Sequence, residues 1–299
     1  MKVVRFANAD GYEGVGILDG NDVLDFGRAF TLLRFAQNLP VEPAVHSIHH
    51  MLLAGIFTVE SFSAVHQFVQ EHNLAEALTV ADARLLAPLP RPPRIVALGR
   101  NYAAHAAETG AEPPSEPIFF VKASTSVIGP EEPVVCPKDI GRVDHEVELA
   151  VIVGKSGRRI SREEAPSHIA GYTILNDVTA REMQARDLSE AKPWFLSKSP
   201  DTFGPMGPCI TLPDEILEPC ELDLSLRVNG ETRQESNTRN MIFDVPELIH
   251  RLSRYITLEP GDVISTGTPE GIAAVVPGDT MEAEVERIGV LRNPVAAER

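Results

Sequence analysis

The sequence predicts a β-rich α+β protein with a small α+β unit at its N-terminal end. Three observations carry this. Apolar runs of strand length recur along the chain, the clearest at residues 147–153 and 169–175. Helical periodicity is confined to two regions, residues 28–78 and 243–256. Between the first of these regions and most of the strands lies a proline-rich joint, Ala87-Pro88-Leu89-Pro90-Arg91-Pro92-Pro93-Arg94, where missing amide donors and fixed φ angles stiffen the chain. The boundary is placed there, giving units 1–88 and 89–299.

Short strands are expected at residues 3–6, 14–18 and 23–26, with Asp19-Gly20-Asn21 as a tight turn between the last two. Helices are expected near 28–37, 45–55 and 60–71, where apolar residues recur at three and four. His46, His49 and His50 fall in the second. No acidic or cysteine partner accompanies them, so they read as packing or surface histidines. After the joint, residues 95–98 form a strand that Gly99-Arg100-Asn101-Tyr102 leaves for a loop or short helix. Phe119-Phe120-Val121-Lys122 is a strand ending in a cation. Residues 222–228 and 231–234 flank Asn229-Gly230, a strong hairpin signal. Val245, Leu248, Ile249, Leu252 and Tyr255 fall on one side of the 243–256 helix. Glu259-Pro260-Gly261-Asp262 turns into a strand at 263–265, and residues 281–288 read as a closing strand.

Composition narrows the class. With 43% hydrophobic and 23% charged residues the chain is ordinary for a globular protein, and its net charge is −16. That charge argues against nucleic acid and anionic membrane as partners, because the phosphate interaction would be repulsive. No stretch approaches the ~20 apolar residues of a membrane helix. Cys136, Cys209 and Cys220 show no C-x-x-C spacing, which fits a reducing cytoplasm and neither a disulfide framework nor a zinc site. The first residues, MKVVRFANADGYEG, carry charges and no long apolar core, so no secretory signal is expected.

The chemistry concentrates between Asp144 and Gln184. Glu146 and Glu148 are two apart, so in a strand they leave from the same face, while His145 alternates away and reads as structural. Asp177 follows the second apolar run at once. If the two runs are neighbouring strands, three carboxylates converge, and a divalent cation is the simplest relief of their repulsion. Oxygen-only ligands favour Mg²⁺ or Mn²⁺ over zinc. The E-x-E pair alone is common and fits the solvated side of an edge strand; the residues after Asp177 weigh against that. Arg181, four after Asp177, and Gln184, three further on, share a face with it if the segment is one helical turn. His105 and Glu108 are spaced for one helical face, where a carboxylate fixes the imidazole tautomer and raises its basicity. Residues 103–116 read as a lid that orders over a bound ligand.

Several separated motifs occur in order: Gly99-Arg100-Asn101-Tyr102-Ala103-Ala104-His105-Ala106-Ala107-Glu108, Ile118-Phe119-Phe120-Val121-Lys122, the Glu-x-Glu-Leu-Ala strand, Asn176-Asp177, Lys198-Ser199-Pro200-Asp201-Thr202-Phe203-Gly204-Pro205, and Pro260-Gly261-Asp262-Val263-Ile264-Ser265-Thr266-Gly267-Thr268-Pro269. Together they resemble the fumarylacetoacetate hydrolase family over about residues 94–295. The resemblance implies a mixed β-sandwich roll after residue ~90, a homodimer, and a cytoplasmic enzyme acting on a small anionic keto acid. Its implied activity is Mg²⁺- or Mn²⁺-dependent hydrolysis of a C–C bond in a 2,4-dioxo acid, of acylpyruvate or fumarylpyruvate type, through a metal-stabilised enolate. Glu146, Glu148 and Asp177 would hold the metal. His105 and Glu108 match the family's water-activating dyad. Arg181, Gln184, Lys198 and Thr268 match substrate-binding positions, and Lys122 would help neutralise the substrate carboxylate.

Two alternatives stay within the family: decarboxylation of oxaloacetate or another β-keto acid, and isomerisation of a 2-hydroxy-dienoate. The intact dyad favours hydrolysis, because decarboxylation needs no water. A metal-binding protein without turnover would need no dyad at all. Glu182 stands where the family's A-R-D-x-Q motif has a shorter acid, and residues 271–278 are short for the family. The acyl group is therefore not carried over.

Overall fold

Every residue of the strand Val147–Val153 is buried, and the strand has a partner on each side. The computed structural model describes residues 1–299 apart from Thr109, Glu218 and the side chain of Ala44. Among the described residues the largest sheet runs Thr79–Val80, Asp22–Asp25, Glu13–Asp19, Lys2–Ala7, Gly204–Thr211, Ile169–Asn176, Val147–Val153, Val263–Ser265, Ile95–Gly99, Ile118–Lys122. After Lys122 the chain returns, and Val127–Ile128 pairs in parallel with Gly204–Pro205 off the main strand order. A second sheet, ordered Glu231–Asn237, Asp223–Val228, Thr280–Val285, Gly289–Ala297, Val134–Cys136, lies against it. Its strands bury alternate residues, and Leu224, Leu226, Met281 and Ala283 pack in one core with Leu149, Val151 and Ile174. The protein is thus a strand-rich α+β fold of sandwich-roll type. No helix among the described residues is long and apolar enough to cross a membrane.

The N-terminal strands join this sheet directly, since Lys2 stands opposite Thr211 and Val3 opposite Ile210. Helices Phe26–Ala36 and Val59–Glu71 cover its face and bury Phe26, Phe30, Phe62 and Val65. Asp25 and Thr58 cap them by accepting from Arg28 N and Ser61 N.

Several boundaries differ from the sequence reading. The expected helix 45–55 is a 3₁₀ turn, Pro43–His46, and a helix, Ile48–Leu53, separated by Ser47, whose side chain caps the second. The expected helix 243–256 is Val245–Ser253. Asp244 in extended backbone caps Glu247 N and sets its start, and Tyr255 lies beyond its end, 75% exposed. Residues 281–288 do not close the fold. The strand Thr280–Val285 turns into Gly289–Ala297, its antiparallel partner. Gly204–Thr211, wholly buried, has no counterpart in the sequence reading, because two prolines and two glycines hide its strand character.

Candidate active site

Antiparallel register builds the acidic cluster. Val147 stands opposite Asn176 and Glu148 opposite Leu175. Continued by one residue, that register sets Asp177 against Glu146, and Asp177 N donates to Glu146 O at 2.8 Å. The neighbouring strand Val263–Ser265 brings the Thr266-Gly267-Thr268 loop beside Glu148. Ligand atoms of Glu146, Glu148 and Asp177 lie within 4.8 Å of one another, all buried. The solvated edge-strand alternative is therefore excluded: Glu146 is 4% exposed and Glu148 fully buried.

Asp177 does not share a helical turn with Arg181. The helix begins at Arg181 and runs to Ser189, because Thr179–Ala180 pairs with Val143–Asp144 and holds the chain extended. Arg181 still reaches the cluster, donating from Nε to Asp144 Oδ2 at 2.8 Å and from Nη2 to Glu146 Oε1 at 2.5 Å. Its Nη1 donates to Gln184 Oε1 at 2.5 Å, a pairing at true helical spacing. Lys198 Nζ donates to Glu146 Oε2 at 2.8 Å and to Asp177 Oδ2 at 2.5 Å. Lys122 lies behind Asp177, its Nζ 2.7 Å from Oδ1, and also donates to the backbone carbonyl of Lys198. It is fully engaged with the protein and is not among the cavity-lining groups.

The charges are unevenly answered. Asp144, Glu146, Glu148 and Asp177 face Arg181, Lys122 and Lys198 in a buried volume. For Glu146, burial opposes ionisation, but Lys198 and then Arg181 outweigh it and hold the carboxyl below its usual range. Glu148 goes the other way. Burial, then the charge of Asp177, push it well above that range. Ser265 Oγ and Gly267 N donate to its Oε2 at 2.5 and 2.9 Å, while its Oε1 is buried with no hydrogen-bond partner among the described residues. Asp177 Oδ1 is met by Lys122 Nζ at 2.7 Å. A partnerless Glu148 oxygen in a trio of carboxylates this close together fits a hard divalent cation. Among the described residues no other trio of His, Cys, Asp or Glu is close enough to hold one, the His46, His49 and His50 group included.

A cavity of about 230 Å³ opens onto Glu146. Arg181, Gln184, Lys198, Thr268 and His105 also line it. Leu98, Phe120, Leu188 and Trp194 form an apolar side. The residues 103–108 segment is in place over this cavity as the helix Ala103–Glu108, with His105 only 6% exposed. His105 Nδ1 is 3.3 Å from Glu108 Oε2, and Glu108 in turn accepts from Gly271 N at 3.1 and 3.2 Å. That pairing leaves Nε2 as the imidazole's lone-pair nitrogen if the Nδ1 proton faces Glu108. His145 is structural, as its alternation implied: it is buried, paired with Gln234 Oε1 at 3.0 Å, and held neutral by burial.

Asn101 joins the cavity's backbone together, and sequence reasoning gave it no role. Its Nδ2 donates to Phe243 O at 3.0 Å and Thr266 O at 2.7 Å, and its Oδ1 accepts from Phe243 N at 2.9 Å. Asn101→Ala strands buried partners at both loops, so a loss of roughly 2–4 kcal/mol is expected in urea unfolding. A midpoint equal to wild type would show that the loops hold without it. Ser265, Asp144 and Arg100 were also unassigned from sequence. Asp144 heads the acidic stretch and could have been found there; Arg100 and Ser265 lie inside quoted motifs that gave neither a task.

The family described as Fumarylacetoacetate (FAA) hydrolase C-terminal matches residues 94–296. A protein of unknown function from Pyrococcus abyssi is 51% identical over 208 residues, 70% of this chain and 92% of its own length. The mitochondrial oxaloacetate tautomerase of Xenopus laevis is 34% identical over 305 residues, covering 99% of this chain and 90% of its own. Maleylpyruvate hydrolase from Sphingobium sp. SYK-6, solved with manganese(II) and pyruvate, superposes with a TM-score of 0.77 at 31% identity, covering all of both chains. Roll, acidic cluster and cavity thus define a family of enzymes that act on small keto acids. The chain belongs to the fumarylacetoacetate hydrolase family.

Proposed function

We propose that the protein hydrolyses a C–C bond in a 2,4-dioxo acid of acylpyruvate or fumarylpyruvate type. The observation that carries this reading is the His105–Glu108 pair, hydrogen-bonded at 3.3 Å and set in the wall of the cavity that opens onto Glu146. Glu146, Glu148 and Asp177 would hold Mg²⁺ or Mn²⁺, which supplies Lewis-acid polarisation of the 2-oxo acid end. His105, oriented by Glu108, takes a proton from water, and the hydroxyl adds to the 4-carbonyl. Arg181, Gln184 and Lys198 would donate to oxygens that become negative during the reaction. The C3–C4 bond then breaks, releasing a carboxylic acid and the enolate of pyruvate. The proton held by His105 is available for C3. Lys122 acts here by positioning Asp177. Ordering of the residues 103–116 lid, a cytoplasmic setting and a homodimer belong to the same reading; light scattering reads the last.

A second reading, keto–enol conversion of oxaloacetate, is favoured by the likeness to the Xenopus enzyme over nearly the whole chain. It needs a proton carrier but no attacking water. Turnover of acetylpyruvate, fumarylpyruvate and oxaloacetate with Mg²⁺ or Mn²⁺ separates the two. Hydrolysis of at least one dioxo acid to pyruvate is expected. Enolisation of oxaloacetate with no dioxo acid cleaved would replace the first reading by the second.

A further inference from the structure

Asp144 is a buried carboxylate that neither the cation site nor the dyad uses. It is fully buried and stands outside the convergent trio. Its two oxygens are divided between two arginines. Oδ2 accepts from Arg181 Nε at 2.8 Å, and Oδ1 accepts from Arg142 Nε at 2.6 Å. The two arginines differ in place. The side chain of Arg142 is 48% exposed, that of Arg181 19%. Of the two, Arg181 lines the cavity and Arg142 does not. Backbone pairing holds all three residues together. Asp144 stands opposite Thr179 and Val143 opposite Ala180, and Arg181 N donates to Arg142 O at 2.8 Å. On its other side the same short strand pairs with Ala274–Val275, so it is held from two directions.

A guanidinium is planar, with its N–H groups in fixed directions. On Arg181 the Nε–H goes to Asp144, one N–H of Nη1 to Gln184 and one of Nη2 to Glu146. Each terminal nitrogen keeps a further N–H, and the bonds already made set the plane that aims it. Gln184 and Glu146 hold the tip of the side chain, whereas Asp144 holds it at Nε. We propose that Asp144 is a positioning residue: it sets the plane of the Arg181 guanidinium, so that the remaining N–H groups serve the oxygens of the substrate. The inference rests on the proposed function for the task of Arg181 and adds the residue that aims it. Charge argues the same way. Without the Asp144 anion, Arg142 and Arg181 lose the group that separates them, and like charges repel. Arg181 is then left with Glu146 as its one carboxylate partner among the described residues, and is drawn toward it.

The test is a double-mutant cycle in kcat/KM. It uses whichever of acetylpyruvate, fumarylpyruvate and oxaloacetate the Mg²⁺-saturated wild type turns over fastest. The proteins are wild type, Asp144→Asn, Arg181→Met and the double variant, with Arg142→Gln for comparison. Asp144→Asn keeps the volume and replaces one acceptor oxygen by a donor. It is expected to lower kcat/KM by roughly tenfold to a hundredfold, the scale of a small misplacement of a positioned group. In the Arg181→Met background the same change should cost less than about threefold, because nothing is left to aim. Arg142→Gln should stay within about threefold of wild type, since Arg142 does not line the cavity. Should Asp144→Asn not fold, Asp144→Glu keeps the charge, moves it by a methylene and goes through the same cycle with the same expectations. A cost of about tenfold or more in both backgrounds overturns the role, because Asp144 then acts on something other than Arg181. So does a loss in Arg142→Gln equal to that in Asp144→Asn, or an Asp144 variant as active as wild type. Each of these leaves the proposed function standing. Turnover of oxaloacetate alone replaces the proposed function by its second reading, and the cycle on oxaloacetate still decides the role of Asp144. Turnover of none of the three by wild type overturns both.

Discussion

Glu148→Gln is expected to weaken Mn²⁺ or Mg²⁺ binding by at least a hundredfold in calorimetry. The change keeps the volume and removes one of three charges that face one point. Loss of a group that only orients a ligand costs roughly 10–100-fold, so loss of a ligand should exceed that. Ser265→Ala provides the comparison, because Ser265 Oγ donates to Glu148 Oε2 at 2.5 Å and orients it. It should fall within the smaller range. The stability effect runs in the opposite direction. Without an ion, Glu148 is a buried carboxyl that Asp177 and burial already disfavour as an anion. The ion-free glutamine variant should therefore melt no lower than wild type. Wild type should gain melting temperature on adding ion, and the variant should not, because stabilisation by a ligand follows its affinity for the folded state. Wild-type ion affinity in Glu148→Gln would remove the cluster from consideration as a metal site.

Much of this site was legible in the sequence, for identifiable reasons. The two apolar runs are buried on both faces, so their composition announces them. Carboxylates at run ends mark where strands leave the core. That the two strands are neighbours was only a condition until the register between Val147 and Asn176 met it. Pairing is a long-range property that no window of sequence contains. The same limit explains the strand Gly204–Thr211. It links the N-terminal strands to the centre of the sheet, yet it reads as loop because Pro205, Gly207 and Pro208 mask it. Lys122 shows a different limit. A strand-end lysine reads as a group facing substrate, whereas packing buries it completely against Asp177. Burial lowers its affinity for a proton, against the pull of Asp177, so its work is local to that carboxylate. Arg100 lay inside a recognised motif. Its left-handed backbone and its lack of a partner among the described residues are properties that spacing cannot supply.

His105→Ala is expected to lower hydrolysis of a dioxo acid by roughly 10²–10⁴, the usual range for losing a positioned base. His105 is 6% exposed and stands beside the cavity, so bulk water is a poor substitute for it. Ion binding should be unchanged in the same variant, because none of the three convergent carboxylates belongs to this helix. Glu108→Gln should show a smaller loss. It keeps an acceptor for His105 Nδ1, at 3.3 Å from Oε2, but removes the charge that favours the imidazolium formed as the proton is taken. It also weakens the contact to Gly271 N, through which the helix Ala103–Glu108 is tied to the loop after Thr268. Run on two substrates, the His105 variant separates the candidate reactions. Cleavage of an acylpyruvate requires an activated water, so it should fall with His105. Loss of carbon dioxide from oxaloacetate requires none, and should survive at the rate set by the acidic cluster alone. Keto–enol conversion lies between, since it needs a proton carrier at carbon and not a nucleophile. An acylpyruvate rate in His105→Ala equal to wild type would refute the general-base role and leave the dyad a structural pair that ties the helix to the Gly271 loop.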